Sequence, residues 1–321
     1  VSTLLTPPIL FFILGMLAAV LRTGLKVPHP IPKLLSLYLL FAIGFKGGLS
    51  LAATGASREL FITLAAGVVL SALIPLGVFT ILRKRIGILN AAAVAATYGS
   101  ISAVTFITAS AVLSEIGMAQ SGYMVAVMAV MESPAIVVSL MLLRMSDKAA
   151  EPGAAPRASW GRVLHESFLN GPVFLLLGSM AVGVLAGEKG AAMLKPFASD
   201  MFVGALCFFL LDLGLLAARR LREVGKAGWS CIVFAVVAPA VQGGLGLVVA
   251  RVLGMSAGDA LLLTLLAGSA SYIAAPAALK LAIPKANPGL YVTMALGITF
   301  PLNIAIGIPA WLALIRLWWP A

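Results

Sequence analysis

The chain has 321 residues, 61% of them hydrophobic and 10% charged, with a formal net charge of +11. Soluble domains carry roughly 25% charged residues, so this composition excludes a water-solvated globule and requires lipid as the solvent. The basic excess is not a nucleic-acid footprint either, because it gathers in alternate connections between apolar runs.

A crossing helix needs about 20 predominantly apolar residues, and ten segments qualify. The first, Pro8–Gly24, lacks a basic leader and a small-residue cleavage site and reads as a retained helix rather than a signal peptide. The second, Leu34–Ala53, carries Lys46 at membrane depth just before Gly48. The third, Leu60–Leu82, contains Pro75, and the fourth, Ala91–Leu113, contains the small polar cluster Thr97–Thr105. The fifth, Tyr123–Leu143, holds Glu132, Ser133 and Pro134. A polar stretch rich in Ala, Pro, Gly and charge, Arg144–Glu166, then divides the chain. It is too short for a folded domain and reads as a cytoplasmic linker. Residues 1–145 form a first five-helix unit, 146–166 the linker and 167–321 a second unit.

The second unit follows the first in order. Its sixth helix, Pro172–Ala186, begins on a proline as the first does. The seventh, Phe197–Ala218, carries Asp212 just before Gly214, matching Lys46 and Gly48. In the eighth, Trp229–Leu253, Pro239 answers Pro75, and the ninth, Ala260–Ala282, repeats a Gly-Ser-x-Ser core at Gly268–Ser271. The tenth, Tyr291–Ile315, reaches Pro301 as the fifth reaches Pro134. An odd number of helices per unit makes the second enter the membrane in the opposite sense, an inverted repeat. No alternating ten-residue pattern of a membrane β-barrel is present.

With the first terminus outside, inner connections collect Arg22, Lys26, Lys33, Arg83–Arg85, Arg144, Arg157, Arg162, Arg219, Arg220, Arg222 and Lys226. The outer side keeps Arg58, Lys189, Lys195, Arg251 and Arg316. This positive-inside bias predicts a multi-pass protein of the plasma (inner) membrane with both termini outside. Cys207 and Cys231 fall in apolar segments and are expected to be packing residues.

Candidate site residues lie in the two repeated clusters: Gly99, Ser100, Ile101, Ser102 and Ala103, with Gly268, Ser269, Ala270 and Ser271. Small residues also serve close helix packing. Two clusters at equivalent positions, each at an expected helix break and the ninth followed by Pro276, point instead to a transporter site. Exposed N–H groups and the positive end of a half-helix attract a small oxyanion. No Lys or Arg lies in either cluster, so a co-bound cation would raise affinity. Oxygen donors from Ser102, Thr105, Glu132, Ser271 and Tyr272 suit Na⁺ better than a transition metal. No other cofactor is expected. Enzyme chemistry is not: both histidines, His29 and His165, sit in loops, and neither H-E-x-x-H nor G-x-x-x-x-G-K occurs.

Over almost its full length the chain resembles the sodium-dependent bicarbonate permease family, SbtA type. The resemblance is carried by Ala42–Gly48, Tyr98–Ser102, Glu166–Pro172, Phe209–Gly214, Gly268–Pro276 and Ile283–Pro288. It implies an all-α polytopic membrane protein of ten transmembrane helices in an inverted five-plus-five repeat. The fourth and ninth helices would be broken and crossing, holding bicarbonate and Na⁺ between them. It further implies a gate subdomain (helices 1, 2, 6 and 7), a core subdomain (helices 3–5 and 8–10), a homotrimer and a PII-like regulatory protein at the cytoplasmic face. Tyr272 departs from the pattern, standing where the family carries an aspartate, and the linker is shorter. The expected function is import of bicarbonate with Na⁺. Alternatives are a Na⁺/H⁺ antiporter or organic-anion symporter with Glu132 as the ion carrier, and a non-transporting receptor for the PII-like partner.

Overall fold

A computed structural model describes residues 6–28, 30–55, 57–146, 161 and 171–319. Most of the expected linker therefore lies outside the described residues, as do His29, Arg157, Arg162 and His165. The described residues form helices and no strands. Seven helical spans are long and apolar enough to cross a membrane, as a polytopic protein requires.

The first helix, α1 (Pro7–Val20), is only 14 residues and stops before the left-handed Arg22 (φ 54°). Next come α2 (Pro30–Thr54) and α3 (Arg58–Ile86). Ser57 caps α3 by accepting from the Leu60 N–H at 3.3 Å. Arg83, Lys84 and Arg85 complement its carbonyl end, and Gly87 (φ 79°) terminates it. The fourth expected helix is divided into α4 (Ile88–Gly99) and α5 (Ala103–Glu115). The fifth is divided at Glu132 and Ser133 into α6 (Met124–Met131) and α7 (Pro134–Ser146), because Pro134 has no N–H to continue the ladder.

In the second unit α8 (Gly171–Leu194) leaves helical geometry at Gly187 (φ 57°), one residue past the expected end of the sixth helix. A π-helical turn, Lys195–Asp200, leads into α9 (Phe202–Leu221), so the sixth and seventh expected helices appear as one apolar span, Gly171–Leu221. Then follow α10 (Trp229–Val252), α11 (Ala257–Ala267), α12 (Ala274–Ala282) and α13 (Pro288–Trp318). Two π-helical stretches, Thr293–Thr299 and Asn303–Gly307, flank Pro301 within α13. Fewer spans reach full length than the ten expected segments, because α1 is short and the ninth segment is split into two short helices.

Two helix pairs make the most extensive contacts, α2 with α8 and α1 with α9. Each contact depends on a glycine: a Cβ on Gly48 would strike the Met180 carbonyl, and one on Gly214 the Phe12 carbonyl. Small residues of this kind let helix backbones approach in the absence of a hydrophobic driving force. The span of α4 and α5 sits at the centre. Its apolar window is 94% buried, against 39% for α3, whose Val69 and Leu73 face outward toward the lipid solvent.

Candidate functional site

Both small polar clusters fall in the helix breaks. α4 ends at Gly99, and Ser100 (ψ 176°) and Ser102 (ψ 103°) are extended before α5 resumes. On the other side α11 ends at Ala267 and α12 resumes at Ala274, leaving Gly268–Ile273 as the connection. Glycine permits both approaches. A side chain on Gly99 would enter the Pro75 ring, and one on Gly268 would meet the Pro239 carbonyl. Thus the matched prolines of α3 and α10 each back one break.

The two breaks meet. The Ser271 amide donates to the Thr97 carbonyl at 2.8 Å, and the Ser102 amide donates to the Ser269 hydroxyl at 2.9 Å. These bonds join positions far apart in sequence and satisfy N–H groups that the breaks would otherwise orphan. Ser269 passes its own proton to the Leu266 carbonyl at 3.0 Å. Ser102 accepts from the Thr105 amide (3.2 Å) and hydroxyl (2.9 Å), capping α5. Ser271 caps α12 by accepting from the Ala275 amide at 3.1 Å, and Ser100 donates to the Glu132 carbonyl at 2.9 Å. All four serines and Thr105 are buried.

The surrounding elements hold the crossing in place. Asn303 donates from Nδ2 to the Gly268 carbonyl at 2.9 Å. Thr299 donates to the Ala235 carbonyl at 2.9 Å, which leaves its oxygen to accept from the Tyr98 hydroxyl at 2.7 Å. Both contacts come from the π-helical stretches of α13, whose irregular geometry turns these side chains inward. The Tyr272 hydroxyl is buried within reach of the Ser102 hydroxyl but makes no well-formed hydrogen bond among the described residues, its ring packed edge-on against Phe300 at 5.2 Å.

A cavity of about 40 Å³ opens between the crossing and the facing helices. That is several times the roughly 10–15 Å³ that admits one water. Ile101, Ala103 and Glu132 line it from the first unit, and Ile273 and Ala274 from the second. Leu39 and Leu40 of α2, Val173 and Leu176 of α8, and Phe209 of α9 close the other side. The starts of α5 and α12 both border this space, so two positive helix ends converge on it.

Of the sequence candidates, Ile101, Ala103 and Glu132 line the cavity directly. Gly99, Ser100, Ser102, Thr105, Gly268, Ser269, Ala270, Ser271 and Tyr272 are buried in or against the crossing behind it. Sequence reasoning missed Ile273 and Ala274, which follow the repeated serines. It also missed Asp259, buried at the start of α11, which accepts from the Ser121 amide and hydroxyl, both at 2.7 Å. The cue was present: Ser256 followed three residues later by Asp259 is a capping pattern, and Ser256 accepts from the Asp259 amide at 3.2 Å. Lys46 sets its ammonium 4.4 Å from the Phe202 ring centroid, within electrostatic reach of Asp200. Cys207 and Cys231 are buried thiols.

A family model described as the Na⁺-dependent bicarbonate transporter superfamily covers residues 7–316, nearly the whole chain. No curated protein matches it significantly.

Proposed function

The chain belongs to the Na⁺-dependent bicarbonate transporter superfamily, and from that premise we propose that it imports bicarbonate together with Na⁺ through the crossing of its two broken helices. The single observation that carries this reading is the cavity of about 40 Å³ on which the starts of α5 and α12 converge, with the Glu132 side chain in its wall. The anion sits against the backbone at Ile101, Ala103, Ile273 and Ala274, where converging helix dipoles favour negative charge. Ser102 and Ser271 hold those backbones in place.

The same geometry explains why the anion travels with a cation. Two unit negative charges about 4 Å apart repel by about 4 kcal/mol at an effective dielectric of 20. An ionised Glu132 therefore opposes bicarbonate in so small a space unless Na⁺ enters too. Ser102, Thr105, Ser271 and Tyr272 supply neutral oxygens for that ion. The Tyr272 hydroxyl is the most telling of them, because it is buried with only the Ser102 hydroxyl in reach and so keeps bonding capacity that ligation would use.

The wider architecture fits ten crossings in an inverted five-plus-five repeat. Gly171–Leu221 has 51 residues, too many for one crossing of a roughly 30 Å hydrocarbon core, and its backbone leaves helical geometry at Gly187. It therefore crosses twice, while α1 and the α11–α12 pair each add one. The matched glycines, Gly48 against α8 and Gly214 against α1, support the repeat. The extensive α1–α9 and α2–α8 contacts favour a gate body of helices 1, 2, 6 and 7 beside a core of the rest.

Uptake of labelled bicarbonate into proteoliposomes, with and without an inward Na⁺ gradient, tests the reading. We expect uptake that collapses without the gradient and is lost in Glu132→Gln. Sodium-indifferent uptake sinks the coupling. Proton exchange in place of bicarbonate uptake, read by a pH dye and abolished by Glu132→Gln, favours a Na⁺/H⁺ antiporter, the alternative for which the carboxylate in the cavity wall also speaks.

A further inference from the structure

A second cavity, of about 500 Å³, opens beside Pro7 and Pro8 at the start of α1. Its wall is largely apolar but carries Ser50, Ser110, Gln120 and Ser121 beside Lys46. The helices that line it also line the small cavity at the crossing, one to two turns further along. On α2 the wall passes from Leu39 and Leu40 to Ile43 and Lys46, and on α5 from Ala103 and Ile107 to Phe106 and Ser110. On α6 it passes from Met128 to Val125, and on α9 from Phe209 to Phe202. The two spaces thus neighbour each other along the same helices, and Ile43, Phe106 and Val125 form the apolar part of the larger wall nearest in sequence to the smaller one.

The charges facing the larger space are unequal. Glu115 is exposed at the last residue of α5, where bulk water and salt screen it. Asp200 is taken up by Lys195 at 2.9 Å. Lys46 is half-buried, eight residues before the end of α2 at Thr54, or about 12 Å below it. Its ammonium rests on the Phe202 ring, which leaves its full charge in place. Among the described residues no carboxylate forms an ion pair with it. A lysine at membrane depth is costly unless it faces water or a partner, and low-dielectric walls focus its field into the space it faces.

We propose that this cavity is an anion-collecting vestibule and that Lys46 is its specificity residue, concentrating small oxyanions beside Ile43, Phe106 and Val125 before they reach the crossing. The identity of the anion as bicarbonate rests on the transport reading; the vestibule's charge selectivity does not, and its test needs no uptake. Ser110→Cys, in the full chain with Cys207→Ala and Cys231→Ala, serves as a reporter on the wall formed by α5. In proteoliposomes its modification rates by an anionic and a cationic methanethiosulfonate give a ratio that reads the local potential. We expect Lys46→Met to lower the anionic-to-cationic ratio about tenfold, a shift that a unit charge at this range produces, and Lys46→Arg to restore it. A ratio unmoved by Lys46→Met, or a Ser110→Cys that neither reagent reaches, overturns the proposal.

The native chain supplies an arm that needs no substitution. Lys46 should react with an impermeant succinimidyl ester applied to the face where α1 begins, and added nitrate should slow that reaction. No labelling, or labelling indifferent to nitrate, overturns the proposal as well. Charge selectivity without bicarbonate uptake counts against the transport reading alone; uptake without charge selectivity removes the vestibule alone.

Discussion

The two breaks that form the crossing share a Gly-Ser-x-Ser core yet differ in how completely they satisfy themselves. The first spans Ser100–Ser102, and both of its serine hydroxyls have partners in the fold. Ser100 is bonded to the Glu132 carbonyl, while Ser102 is bonded to both polar groups of Thr105 and, through its amide, to Ser269. The second runs longer, from Gly268 to Ile273, and contains Tyr272, whose buried hydroxyl makes no well-formed hydrogen bond among the described residues. A saturated break is a scaffold, and an unsatisfied one has bonding capacity left for a ligand. The comparison teaches that sequence repetition does not imply equal roles: on the proposed site the first cluster serves mainly to fix the geometry, and the second has more bonding capacity to offer a ligand.

The largest test of this contrast is steric. Gly268→Val places a Cβ against the Pro239 carbonyl, which is backbone and cannot rotate aside. Overpacking of this kind costs about 1–3 kcal/mol or more. We expect the melting temperature of the purified protein to fall by several degrees, with transport lost. A melting curve unchanged from the parent would show that the second break is loose enough to move, and would deepen the asymmetry.

A smaller effect separates the paired serines. Ser102→Ala removes an acceptor from two donors of Thr105, and Ser271→Ala removes one from Ala275. Loss of a cap costs about 1 kcal/mol, with a second orphaned donor adding about 1–3. Thermal denaturation should therefore show Ser102→Ala as the less stable variant, while both lose transport. Equal stability with normal uptake in both would return the clusters to simple packing.

The smallest change is Tyr272→Phe. Deleting a buried hydroxyl that makes no well-formed hydrogen bond removes a desolvation penalty, so stability should stay level or rise by about 1 kcal/mol. The sodium concentration for half-maximal uptake should nevertheless rise several-fold. Stability gained with sodium dependence unchanged would make Tyr272 a packing residue and remove it from the cation set.

Much of this was legible before any coordinates. The polar clusters announced the breaks because a Gly-Ser-x-Ser core recurs at equivalent places in two apolar runs, and Pro75 and Pro239 marked the helices that back them. The division of labour among the serines was not legible. Whether Ser269 binds a ligand or the Ser102 amide depends on where a chain segment distant in sequence crosses, and no local pattern encodes that. In the span from Gly171 to Leu221 the expected end of the sixth helix at Ala186 falls beside the break at Gly187, whereas the π-helical turn at Lys195–Asp200 carries no strong compositional mark. Asp259 was read past because an acid beside an apolar run looks like a membrane boundary, whereas the fold buries it against Ser121.

That buried carboxylate has a mechanical consequence. Asp259 fastens the start of α11 to the connection between α5 and α6, and Ser271 and Ser269 fasten the far end of α11 to α4 and α5. The two attachments lie about 15 Å apart along one helix of eleven residues. Two bodies pinned at two points keep a single shared axis: they can hinge about the line through the pins but cannot slide or separate. The broken helices of the two units therefore behave as one strut, and on the proposed transport reading any exposure of the cavity to alternate sides of the membrane would come from displacement between that strut and the facing helices α2, α8 and α9.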